Sequence, residues 1–187
     1  MLTLADTIKD IPLDQIIPKF ESLPLENKLG QYTCYEGWFI KKKLFGGYDS
    51  FKATDICWVF PEKKKFTEFS TWQIYMKTHD REITFSSQDL ATSLVDQSMP
   101  QATESCMKTL NSIIPWAFYG FSMIIDIAWR HHNNAWLKVV EKRVNAIKTG
   151  ISNGSLLINT DGSIQVTDPT FHMPSMNIDD RGRITEV

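Results

Sequence analysis

Cysteine is scarce and poorly placed for a framework. Only Cys34, Cys57 and Cys106 occur among 187 residues. The count is odd, the spacing is wide and no CxxC pair exists. A disulfide scaffold or structural zinc site is therefore not expected, and a reducing, cytoplasmic setting is. No sign of charge dominates, with 20 basic residues against 22 acidic and a net charge of −2. Nothing global draws such a chain toward DNA, RNA or a lipid surface. Long hydrophobic runs are missing too. The uncharged stretch "IIPWAFYGFSMII" from Ile113 to Ile125 is short for a bilayer crossing, is broken by Pro115 and Gly120, and is followed by Asp126 and Arg130. The start, "MLTLADTIKDIPLDQ", carries Asp6 and Asp10 where a secretory signal needs a basic residue and an apolar run.

Catalytic signatures are incomplete. Gly46-Gly47 is not followed by the Lys-Ser or Lys-Thr of a phosphate loop. "GFSMI", Gly120 to Ile124, begins like a nucleophile elbow, but Ile124 stands where the second glycine is needed. Ser122 reads instead as a helix cap. No cofactor is expected.

What is present is an ordinary globular composition, 42% hydrophobic, with an aromatic share of 12% and six tryptophans. That share points to a bulky core or an aromatic surface for a partner. The pattern predicts an α+β fold. Residues 1–30 read as short helices broken by Pro12, Pro18 and Pro24. Residues 31–85 read as an antiparallel meander of about four strands, with "EKKK" as a charged turn and Trp72, Ile74 and Met76 sharing one face. Residues 86–150 read as helices. One runs from a cap at Ser86 to about Gln97, and a second opens at Ser98 and Pro100. A long one spans 121–148 and closes at Gly150. These make one domain, 1–150. The tail, 151–187, has a hairpin at Asp161-Gly162 and then "NIDDRGRITEV", which repeats its rhythm; it reads as a loosely packed hairpin and a partly mobile terminus.

The stretch "DIAWRHHNNAW", 126–136, holds His131 and His132, half of the four histidines. On a helix Asp126 faces Arg130 as an ion pair. His131 and His132 point about 100° apart, which prevents them from gripping one metal together. Ile125, Trp129, His132, Trp136, Val140 and Val144 fall on one line, so His132 reads as a semi-buried residue packed between the two indoles. Two lysine triplets stand out: Lys41 to Lys43 in "WFIKKKLF" and Lys63 to Lys65 in "FPEKKKF". If their turns share one edge they form a basic patch for a phosphorylated or anionic headgroup or a nucleic-acid backbone. The plainer reading is a solvated rim that blunts sheet edges. Lys41, Lys43, Lys63, Lys64, Lys65 and Trp72 are the candidate binding residues.

The stretches "KATDICWVFPEKKKF" and "WQIYMKTHDREITF", with the helix leading into "IIPWAFYGF", resemble uncharacterised bacterial PH-like domain proteins over about 31–147. The resemblance implies a bent antiparallel sheet and a non-catalytic binding or scaffolding role. It carries over no site residue, and four strands are fewer than a full PH barrel has. Three functions remain open. The first is a PH-like binding module with an unknown protein partner or an anionic lipid headgroup. The second is a hydrolase or metal-dependent enzyme using His131 or His132 with Asp126. The third is an immunity-type inhibitor of a partner protein.

Overall fold

The computed structural model describes residues 2–23, 27–65, 70–85, 91–92 and 98–187. Two short helices, α1 (Leu4–Thr7) and α2 (Leu13–Phe20), open the chain. Four strands follow: β1 (Lys28–Leu29), β2 (Tyr32–Tyr35), β3 (Trp38–Lys42) and β4 (Tyr48–Lys52). They pair antiparallel in that order as one sheet. A single 3-10 turn, Ala53–Asp55, then carries the chain out of this sheet and into a second. The stretch "DSFKATDICWVF", which reads as one strand, is thus two strands in two sheets.

The second sheet holds β5 (Ile56–Lys65), β6 (Ser70–Thr78) and β7 (Glu82–Phe85) as an antiparallel meander. A short β9 (Phe118–Tyr119) lies parallel to β5 beside Trp58 and Val59 only. β5 runs through Pro61 to Lys65, so "EKKK" is strand rather than turn. Proline is tolerated there because β9 has already ended and, among the described residues, no strand beyond it needs the missing N–H. Within 31–85 the described chain therefore has six strands, β2 to β7, in two antiparallel sheets where one meander of about four was expected. The helix expected at 86–97 falls mostly outside the described residues. Ala91–Thr92, which are described, form a strand, β8, against β6.

Side chains alternate across the second sheet, and both faces are buried in its middle. Phe85 points to the first sheet, where it stacks on Tyr32 at 5.4 Å and meets Phe39 edge-on at 5.7 Å. Trp58, Phe60 and Tyr75 point the other way, toward the long helix α4 (Met123–Asn153). There Trp58 meets Trp136 at 5.7 Å and Trp129 at 6.1 Å. The Trp136 indole N–H donates to the Cys57 carbonyl at 3.2 Å, which satisfies its one donor in the core. α3 (Gln101–Ile113) begins directly after Pro100 and buries Thr103, Cys106 and Leu110.

Ser122 caps α4 by accepting from the Ile125 N–H at 3.2 Å, as its sequence context predicts. The helix outruns its expected end. Gly150 is a buried interior residue against which Leu156 and Phe171 pack, and the left-handed residue that ends the helix is Gly154. One residue, His132, departs from helical geometry with φ −134° and ψ 27°, and bends α4 there. His132 is half-buried, but it does not separate the two indoles: Trp129 and Trp136 meet directly, edge to face, at 5.5 Å.

The tail forms two hairpins, β10–β11 (Leu156–Ile158, Ile164–Val166) and β12–β13 (Met176–Ile178, Ile184–Glu186). They are one unit repeated at an offset of 20 residues. Leu156 faces Val166 as Met176 faces Glu186. The Gly162 and Gly182 amides donate to Asn159 and Asp179 at 2.9 Å in both, and the Thr167 and Val187 amides both donate to a serine carbonyl, Ser155 or Ser175. Val187 is therefore the counterpart of Thr167. Leu156, Ile158, Met176, Ile178 and Ile184 pack on the core, so both hairpins are anchored, while β11 itself stays exposed.

Candidate functional site: a basic hairpin tip

The last ladder pair of the β3–β4 hairpin is Lys42 with Tyr48. Beyond it the Lys43 amide donates to the Gly47 carbonyl at 3.0 Å, and the Gly46 amide donates to Lys43 at 3.3 Å. Gly46 and Gly47 take φ of 90° and 75°, which L-residues avoid, and nothing packs near either. This turn leaves Leu44 and Phe45 standing off the end of the sheet, 91% and 97% exposed. Two adjacent apolar side chains so fully in water are unlike the scattered surface hydrophobics of an ordinary domain.

The lysines beneath them are held to different degrees. Lys41 donates to the Gln31 side chain at 3.1 Å and lies 5.0 Å from the Tyr32 ring centre. Lys42 pairs with Glu21 at 2.8 Å, and that hydrogen bond holds the Glu21 carboxyl below its ordinary range. Lys43 is exposed and has no ion pair among the described residues. The end of α2 props the base: Phe20 meets Tyr48 edge-on at 5.3 Å, and the Tyr48 hydroxyl donates to Glu21 at 3.4 Å. The tip is thus a free end on a braced stem.

The other candidate residues sit elsewhere. Lys63, Lys64 and Lys65 belong to β5 in the second sheet, so the two triplets do not share one sheet edge. They lie where β5 has lost β9 and, among the described residues, has only β6 as neighbour. Blunting an open edge explains them. The ladder between β2 and β3 ends at Thr33 with Ile40, so among the described residues Lys41 and Lys42 likewise have only β4 beside them, and Lys43 lies in the turn beyond the strand. Lys64 pairs with Glu62 at 3.1 Å and lies 5.2 Å from the Tyr75 ring. Trp72 faces Lys63 across the ladder but is half-buried, with its indole N–H enclosed and unpartnered.

The helical cluster does not converge. Asp126 pairs with Arg130 at 2.8 Å, His131 is exposed, and neither histidine is hydrogen-bonded to Asp126. Among the described residues no group of three or more His, Cys, Asp and Glu is arranged to hold a metal. A groove of about 290 Å³ does gather polar groups from distant segments, with Asp55, His79, Glu141 and Lys148 around a floor of Cys57, Val140 and Val144. Burial raises the Asp55 pKa, and burial pushes the Cys57 thiol up to about 12, so the sulfur is no nucleophile. No sequence spacing could have announced this groove.

Leu44 and Phe45 were missed as site residues because the sequence reads as strand up to Gly46-Gly47. The available signal was an apolar pair caught between a lysine run and a glycine turn. Comparison with protein-family models, with curated proteins and with solved structures finds no match. No helix among the described residues is long and apolar enough to cross a membrane.

Proposed function

We propose that this protein is a non-enzymatic, PH-like binding module whose β3–β4 tip is its contact element. One observation carries the reading: Leu44 and Phe45 stand in water at the end of a hairpin, where nothing among the described residues packs against the turn that carries them. An exposed apolar pair gains free energy only when something covers it. A four-stranded sheet, a three-stranded meander and a following long helix are the features that support the PH-like part of this reading.

A photo-crosslinking residue placed at position 45 tests this in the cells that make the protein. Adducts are expected at position 45 and not at position 157, where Leu157 is also exposed but lies on the tail. Equal yields at the two positions would contradict the reading.

A further inference from the structure

We propose that what the tip meets is the interface of an anionic lipid bilayer. The inference rests on the binding-module reading above and names its partner. Three features favour it over a pocket on another protein. The apolar surface is convex and small, a pair of side chains at the end of a hairpin. Lysines at 41, 42 and 43 lie directly beneath it, where headgroup phosphates would sit once Leu44 and Phe45 reach the acyl boundary. The Lys43 and Gly46 amides are bonded inside the turn, but the Leu44, Phe45 and Gly47 amides take no backbone partner among the described residues, so the tip suits the hydrated interface and not the bilayer core. Deeper entry would strip water from these groups, so insertion stops at the interface.

Electrostatics fix the character of the binding. The whole chain is net negative at −2, so attraction to an anionic surface has to be local, and here the tip lysines supply it. Glu21 already neutralises Lys42, but that pair is well exposed, with side chains 65% and 64% accessible, and can exchange for lipid phosphates. Binding of this kind is sensitive to salt and requires both components.

Co-sedimentation with vesicles of phosphatidylcholine alone, or containing 30% phosphatidylserine, tests it with the full-length chain. The expected result is pelleting with the anionic vesicles only, weakening as salt rises. Phe45→Ser and Lys43→Glu should each reduce it roughly tenfold, while Leu157→Ser leaves it unchanged. Both tip side chains are exposed, so unchanged thermal midpoints will show that the variants fold. No pelleting with anionic vesicles at low salt, or pelleting indifferent to Phe45→Ser, overturns the proposal. Protein-only adducts at position 45 overturn the bilayer while leaving the contact element standing. Loss of both results removes the binding reading as well.

Discussion

Buried groups make the sharpest predictions at the scale of single residues. Cys34, Cys57 and Cys106 are all buried, and burial pushes Cys57 up to about 12 and Cys106 to about 11. Ellman's reagent at pH 8 should find no reactive thiol in the folded protein and three in denaturant; a rapid native reaction would contradict this burial. Trp136 is fully enclosed and touches Trp58, Trp129 and Phe118. Trp136→Ala should cost about 3–5 kcal/mol by denaturant titration. Asp49 is a different case. Burial raises its pKa, but hydrogen bonds from Tyr32 at 2.7 Å and Arg81 at 2.9 Å outweigh it, and the folded value ends lowered. A depressed carboxyl stabilises above its unfolded pKa of about 3.9 and stops doing so as pH falls through the folded value. Asp49→Asn should therefore be less stable than the parent at neutral pH, and the gap should close below about pH 4. Residues such as Trp136 were legible in advance because helical spacing alone set them on the buried line. Asp49 was not, since its partners come from 17 and 32 positions away.

Elements divide along the same line. α4 was readable from its cap at Ser122 and its apolar stripe, and only its end was misplaced. Gly150 looked like a stop because glycine usually is one; here its missing side chain makes room for Leu156 and Phe171. The bend at His132 left no trace in sequence, having neither proline nor glycine beside it. The second tail hairpin spans that bend. Gly182 at its tip abuts Ile127 and Ala128 on one side, and Glu186 at its base pairs with Lys142 on the other. A β-carbon at Gly182 would stand 2.7 Å from the Ile127 methyl and 3.1 Å from the Ala128 nitrogen, at a φ of +77°. Gly182→Ala should cost more than the roughly 1–2 kcal/mol of the backbone strain alone. Gly46→Ala, equally strained but in open space, measures that strain by itself. Hydrogen exchange over residues 123–131 should rise in Gly182→Ala and not in Gly46→Ala; equal protection in the two would show that the hairpin does not brace the helix.

Taken whole, the molecule is a pair of sheets with a bent helix laid over the second. The sequence class, α+β with an antiparallel meander and a long helix, was recoverable from alternation and helical period, which are local. The division into two sheets was not, because one 3-10 turn at Ala53–Asp55 decides it. Once β3 lies in the first sheet and β5 in the second, the two lysine triplets part company. Under the proposal above, only Lys41 to Lys43 belong to the tip. The most direct test of that tip exploits the buried native cysteines. A Phe45→Cys protein labelled with an environment-sensitive naphthalene dye carries its probe only at the tip, and Asp161→Cys carries it on the tail. Added phosphatidylserine vesicles should shift the emission of the tip probe to the blue and leave the tail probe unchanged. Vesicle binding with the tip probe still reporting water would contradict the account.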